Sequence, residues 1–86
     1  MIEKGSIVEL SNNKKYIMTD SSIENGDVYY MALEVDFETE NPKEESAFFK
    51  HGTNNTLIPV TNESDVDFLK TIFINKFIEE ILNNEN

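Results

Sequence analysis

The 86-residue sequence contains no cysteine, tryptophan or arginine, and it has only three glycines, two prolines and one histidine. Without cysteine the chain can form neither a disulfide nor a thiolate metal site, so its small core depends on packing, with assembly as a further source of stability. No stretch reaches the roughly 20 apolar residues of a membrane span. The N-terminal stretch also lacks the basic flank and apolar run of a secretion signal. These absences predict a cytoplasmic protein with no membrane segment.

Positive charge is the other scarce property of the chain. The seven basic residues, all lysine, oppose seventeen aspartates and glutamates, which gives a formal net charge of -10. Such a balance disfavours direct binding to the phosphates of nucleic acid or anionic lipid. Two interpretations remain open. The charge either attracts a partner protein with a basic surface, or it mainly keeps a small protein in solution.

Residue types that carry catalysis are few. His51 stands alone beside a glycine turn, and the chain has no nucleophile motif and no phosphate-binding glycine loop. The segment Asp20–Asp27 resembles a calcium loop only superficially, because EF-hand spacing requires glycine where Asn25 stands and glutamate where Met31 stands. We therefore predict a protein that is not an enzyme and has no cofactor and no metal ligands.

The longest strand-like stretch, Tyr29–Glu40, alternates between apolar and acidic residues. Its apolar set is Tyr29, Met31, Leu33, Val35 and Phe37, and its acidic set is Glu34, Asp36, Glu38 and Glu40. Successive side chains of a strand point to opposite faces. The pattern therefore predicts a strand with one apolar face and a row of carboxylates spaced about 7 Å apart on the other.

Asn25-Gly26, which precedes this stretch, is the strongest hairpin signal, because a type I′ turn needs positive φ at both central residues. A two-residue loop places Glu24 opposite Asp27 and Ile23 opposite Val28. Continued along the hairpin, the same register pairs Met18 with Leu33, Tyr16 with Val35, Lys15 with Asp36 and Ile17 with Glu34. It also sets Asp20 opposite Met31 on the apolar side, a conflict that a longer loop or a bulge near Asp20 would remove.

The remaining pattern predicts further short strands and then one helix. Residues 1–60 read as an antiparallel sheet, in which one of Phe48 and Phe49 packs inward and the other lies under a loop or helix. Residues 62–84 read as a helix capped by Asn62 or Ser64. The apolar row expected to face the sheet is Val66, Leu69, Phe73, Phe77 and Ile81. We predict a single α+β domain, 1–86, with about five twisted antiparallel strands, open or closed toward a small SH3-like barrel, and one C-terminal helix.

The acidic residues of the central stretch are one candidate interaction site. A regular row of negative charge resembles a nucleic-acid backbone to a basic protein groove. The candidates are Glu34, Asp36, Glu38, Glu40, Glu44 and Glu45. The alternative is an outer strand face that is simply solvated or that protects an edge from aggregation.

The apolar helix is the second candidate site. More of its surface is apolar than one stripe against a sheet requires, and the excess residues are Phe68, Ile72, Ile74, Ile78 and Leu82. They favour either a homodimer formed through the helix or a sheet that curls around it and buries more than one stripe.

The segment Glu24–Asp36, followed by an acidic loop, a short strand and a helix opening at Asp65–Phe68, resembles small acidic proteins of Gram-positive bacteria and their phages. The likeness rests on Gly26, on the apolar positions Tyr29, Tyr30 and Leu33, and on charge. Size, acidity and richness in Asn, Lys and Ile also resemble phage-encoded inhibitors of bacterial defence, including anti-CRISPR proteins. These inhibitors share no motif, so no residue role carries over.

Two functions follow as expectations. In the first, the protein is a non-enzymatic inhibitor or adaptor whose acidic face engages a basic, nucleic-acid-binding protein by mimicking nucleic acid. In the second, it is a structural or adaptor protein that homodimerises through its apolar C-terminal helix.

Overall fold

The computed structural model of the chain describes residues 1–84, which form a five-stranded sheet and one long helix. The strands are β1 (Ile7–Glu9), β2 (Lys15–Glu24), β3 (Asp27–Val35), β4 (Pro42–His51) and β5 (Leu57–Pro59), and the helix is α1 (Glu63–Asn83). Consecutive strands are antiparallel neighbours, and the sheet curls into a half-barrel with β1 and β5 at its edges. The predicted α+β fold is confirmed. The last two residues of the predicted domain 1–86 lie outside the described residues.

The turn between β2 and β3 agrees with the sequence prediction. Asn25 and Gly26 are its central residues and have φ of 53° and 83°. Both values are positive, as a type I′ turn requires. Glu24 therefore lies opposite Asp27, and the predicted register holds at this end of the hairpin.

The register changes at Thr19, where β2 carries one extra residue. Asp20 lies opposite Met31 as predicted, but Met18 lies opposite Ala32. The predicted pairs Met18–Leu33, Tyr16–Val35, Lys15–Asp36 and Ile17–Glu34 are wrong, each displaced by one residue. The Thr19 hydroxyl donates a hydrogen bond of 3.0 Å to the Met31 carbonyl oxygen, which stabilises the bulge. The bulge sends Met18 and Asp20 to opposite faces of the sheet, although residues two apart share a face in a regular strand.

Both faces of the sheet are buried, each by its own cluster. The inner core, within the half-barrel, consists of Tyr16, Met18, Tyr30, Ala32 and Phe49. The helix core, on the other face, consists of Phe48, Leu69 and Phe73. Phe49 thus packs inward and Phe48 lies under the helix, which confirms the prediction for this pair. The prediction that the central strand has only one apolar face is wrong. Tyr30 and Ala32 fill the inner core on one face, while Met31 packs against the helix core on the other.

Helix α1 is capped by Asn62, one of the two predicted residues. The Asn62 side-chain oxygen accepts hydrogen bonds from the backbone N–H groups of Ser64 at 3.0 Å and Asp65 at 3.2 Å. These bonds satisfy two of the N–H groups that lack a partner within the helix. Glu63 and Asp65 in the first turn also place negative charge at the positive end of the helix dipole.

The apolar side chains of the first half of α1 are buried against the sheet, whereas those of the second half are largely exposed. Leu69 and Phe73 are buried, whereas Phe77 and Ile81 are 61% and 43% exposed. The prediction that Phe77 and Ile81 face the sheet is wrong.

Lys76 fixes α1 to the bulged part of β2. Its ammonium nitrogen lies 3.0 Å from Asp20 Oδ1 and also donates to the carbonyl oxygen of Ser21. The carboxylate that the sequence places opposite Met31 is therefore neutralised by a cation from the helix. This ion pair removes the conflict that the hairpin pattern had raised.

Candidate functional site

The central acidic residues do not form a strand row. Strand β3 ends at Val35, and the chain turns back through Asp36–Asn41, where the Asp36 N–H donates to the Asn41 carbonyl oxygen at 2.8 Å. Glu40 has φ of 60°, in the left-handed region, which an extended strand cannot contain. The predicted ladder is therefore wrong: Glu34 stays in β3, whereas Asp36, Glu38 and Glu40 lie in a turn.

Asp36 holds that turn together. Its Oδ1 accepts hydrogen bonds of 3.0 Å from the backbone N–H groups of both Glu38 and Thr39. These bonds favour the ionised carboxylate. The amide of Thr39, followed by that of Glu38, lowers the pKa of Asp36 below its ordinary value of 3.8. Asp36 therefore has a structural role in the loop.

Two lysines neutralise part of the acidic region. Lys15 Nζ lies 3.2 Å from Glu40 Oε2 and 4.6 Å from the centroid of the Phe37 ring. Lys43 Nζ lies 3.0 Å from Glu34 Oε2, and the hydrogen bond to Glu34 raises the pKa of Lys43 above its ordinary value. Glu34 and Glu40, two of the six acidic residues predicted to contact a partner, thus form ion pairs within the protein itself.

The three remaining acids of the predicted set form the acidic cluster: Glu38, Glu44 and Glu45. All three are exposed, and none forms an ion pair among residues 1–84. Glu38 lies in the turn, and the other two lie in β4. Their part of β4 bulges away from β3 between the pairs Leu33–Ser46 and Val35–Pro42. Because these acids are divided between a turn and an irregular part of a strand, they lack the regular spacing of a nucleic-acid backbone.

The second half of α1 carries the other candidate surface. We define the exposed stripe as the five large apolar side chains Ile74, Phe77, Ile78, Ile81 and Leu82. Their spacing of three and four residues places them on one side of the helix. Each is between 43% and 61% exposed. The predicted interface residues Ile74, Ile78 and Leu82 therefore come together, joined by two residues that the sequence assigned to the sheet side.

The other two predicted interface residues belong to a different region. Phe68 is exposed and Ile72 is half-buried, and Phe68 lies about 120° from Ile74 around the helix axis. Phe68 lines a separate cavity of about 320 Å³ with Tyr29 and Ile58. The helix thus does not present the five predicted residues as one surface.

A groove between α1 and the sheet runs alongside the exposed stripe. Its volume is about 470 Å³, and its apolar lining comprises Met31, Phe48, Phe73, Ile74 and Phe77. Because Ile74 and Phe77 belong to both features, the groove and the stripe are continuous. Lys4, Lys70 and Glu80 contribute the charged part of the lining, together with Asp20.

His51 has a structural setting. Its Nδ1 lies 3.1 Å from the hydroxyl of Tyr30, and the same hydroxyl accepts a hydrogen bond of 3.0 Å from the backbone N–H of Ile2. Tyr30 is completely buried. His51 therefore belongs to a network that ties the N-terminal segment to the inner core.

Within residues 1–84, no three histidine, aspartate or glutamate side chains lie close enough to hold a metal ion together. Helix α1 does not have the length and apolar character needed to cross a membrane.

Comparison with known proteins gives no relative: no protein-family model, curated protein or solved structure matches the chain.

Proposed function

We propose that the protein is a cytoplasmic, non-enzymatic structural or adaptor protein that homodimerises through the exposed stripe of α1. The observation that carries this proposal is the grouping of five large, exposed apolar side chains on the second half of α1. A helix side this apolar is unfavourable in water, and covering it lowers the free energy.

The size of the stripe supports an interface between two copies. A large apolar side chain covers roughly 200 Å², so five that are about half exposed leave on the order of 500 Å² in solvent. That area lies in the upper part of the range of about 300–600 Å² for the largest apolar patch on a monomer. Two such patches facing each other bury about 1,000 Å², the lower limit for a specific interface. We therefore expect a dissociation constant in the micromolar range or weaker.

Charge favours the stripe over the rest of the surface as the contact between copies. The five side chains carry no charge, whereas the chain as a whole has a net charge of -10. Two copies therefore repel each other at long range and attract through apolar burial at short range. Added salt screens the repulsion, so the dimer is expected to become tighter as salt rises.

Sedimentation equilibrium from about 1 µM to about 500 µM tests this proposal. We expect the wild type to dimerise and Ile78→Glu to remain monomeric, because a carboxylate in the interface is buried without a partner. Phe68→Glu is the matched control: it places the same charge on another side of the same helix and should leave the dimer intact. Far-UV circular dichroism verifies the fold of both variants. A wild type that stays monomeric at 500 µM refutes the proposal.

A second candidate function rests on the acidic cluster. Its three exposed carboxylates without ion pairs support an inhibitor or adaptor that engages a basic, nucleic-acid-binding protein, as an anti-CRISPR-like mimic does. The cluster is smaller than the six residues predicted from the sequence. Glu34 and Glu40 pair with lysines, and Asp36 holds its loop.

The test of this second function uses a charge reversal that spares the fold. The triple substitution of Glu38, Glu44 and Glu45 by lysine should abolish capture of a basic partner from host lysate, and high salt should weaken capture by the wild type. The control replaces Glu3, Glu9 and Glu24 by lysine, which changes the net charge by the same amount at other positions. Equal capture by both triple variants excludes the acidic cluster as the binding surface.

A further inference from the structure

We infer that the two copies pair with their α1 helices antiparallel, so that the Lys70 end of one helix lies beside the C-terminal end of the other. This inference rests on the homodimer proposed above and specifies its geometry. Three features of the described residues support it: the extent of the stripe, the groove beside it and the distribution of charge along α1.

The stripe occupies residues 74–82, and its centre lies near Phe77 and Ile78. The sheet packs on the first half of α1, through Leu69 and Phe73. An antiparallel pair crosses at the centre of the stripe and places the two sheets at opposite ends of the helix pair. Each copy then presents the same residues to the other, as a two-fold interface requires.

The groove beside the stripe provides a place for side chains of the second helix. It opens between α1 and the sheet, and Ile74 and Phe77 form its border with the stripe. A helix lying on the stripe passes over this opening. Its own apolar side chains then cover the half-buried Met31 from solvent, so the interface gains area beyond the stripe.

The charges along α1 discriminate between the two orientations. The last turn has no basic residue, and Glu79 and Glu80 add negative charge to the negative end of the helix dipole. Lys70 lies one turn before Ile74 and forms no ion pair among residues 1–84. An antiparallel pair places Lys70 of each copy beside the negative end of the other helix. A parallel pair instead places Lys70 against Lys70 and one negative end against the other.

Spin-label distances in the dimer test the orientation directly. The chain has no cysteine, so a label attaches only at an introduced one, and Thr71→Cys and Asn75→Cys are both at exposed positions on α1. Four helical residues correspond to about 6 Å, so in an antiparallel pair the offset along the helix axis between the two Thr71→Cys labels exceeds that between the two Asn75→Cys labels by about 12 Å, and the Thr71→Cys distance is the longer one. A parallel pair has no axial offset between equivalent labels. A Thr71→Cys distance that does not exceed the Asn75→Cys distance overturns the orientation and leaves the dimer standing, whereas the absence of any dipolar signal above the dissociation constant overturns the dimer as well.

A charge exchange tests the role of Lys70 independently. Lys70→Glu should weaken dimerisation about tenfold, because the favourable contact with a helix end becomes repulsive at two symmetric places. The double variant Lys70→Glu with Asn84→Lys should recover most of the affinity in an antiparallel pair. Within one helix these positions are about 21 Å apart, so the recovery cannot come from a contact inside one chain. An unchanged dissociation constant for Lys70→Glu, or a double variant weaker than the single one, overturns the inference.

Discussion

Replacing Lys76 by methionine is the most informative single test of how helix and sheet are joined. The substitution keeps most of the aliphatic side chain and removes the ammonium group that bonds to Asp20 Oδ1 at 3.0 Å. The Asp20 side chain is only 16% exposed, and its strand neighbour is Met31. Without Lys76 this carboxylate loses its cation, and the solvent around it replaces only part of the interaction.

The size of the effect follows from the exposure of the two side chains. A hydrogen bond to a charged group contributes about 1.5–3 kcal/mol when shielded from water. Lys76 is 38% exposed, so screening reduces this value, and we expect Lys76→Met to lower the free energy of unfolding by about 1–2 kcal/mol. For a domain of this size such a loss lowers the midpoint of thermal unfolding by about 4–15 °C.

Urea denaturation of four proteins isolates the pair itself. These are the wild type, Lys76→Met, Asp20→Leu and the double variant, measured at a concentration where the protein is monomeric. The double variant should lose less free energy than the sum of the single ones, with a coupling of about 1 kcal/mol. Lys14→Met removes the same charge in an exposed turn and should change the free energy by less than about 0.5 kcal/mol. A coupling below about 0.3 kcal/mol refutes the role assigned to this ion pair.

Three further predictions concern the inner core, the acidic turn and the helix. Tyr30→Phe should cost about 1–2 kcal/mol of unfolding free energy and increase amide exchange in the N-terminal segment, because the His51 nitrogen and the Ile2 amide lose their shared hydroxyl. The turn held by Asp36 should be intact above the ordinary pKa of 3.8 and should open as pH falls through the lower folded pKa. This opening should be visible as a titration of the two amide resonances bonded to the carboxylate. Asp36→Asn should abolish that titration. Phe73→Ala should cost about 3–5 kcal/mol in a denaturant titration of the monomer, whereas Phe77→Ala should change the monomer little and weaken the dimer.

The features predicted correctly from sequence depend on local chemistry. Asn25-Gly26 fixes its turn through a backbone preference that few other residue pairs share. Asn62 caps the helix through hydrogen bonds that reach only two and three residues along the chain. The split between Phe48 and Phe49 follows from strand alternation alone. Such signals need no knowledge of distant partners.

The features predicted incorrectly depend at least in part on contacts between distant segments. The alternation through Asp36–Glu40 fits a strand, but a turn forms instead, because the Asp36 side chain accepts hydrogen bonds from two nearby backbone N–H groups and Lys15 pairs with Glu40, 25 residues away in the sequence. From the sequence, a bulge near Asp20 was only one of two ways to avoid a charge opposite Met31, and a longer loop was the other. The neutralising partner of that charge, Lys76, lies 56 residues away from Asp20 in the sequence, so no local pattern could identify it.

The geometry of the helix explains why its apolar row divides into a buried and an exposed part. Residues four apart on an α-helix are rotated by about 40°, so a row that begins at Phe73 turns steadily away from the sheet at Phe77 and Ile81. The Lys76 contact with Asp20 fixes this rotation. Around the helix axis, Lys76 lies on the side of Phe73 away from Phe77, and its bond to Asp20 holds that side of α1 against β2. The same rotation brings Phe77 and Ile81 beside Ile74 and Ile78. The bulge, through the position it gives Asp20, thus helps to determine which apolar side chains of α1 stay exposed.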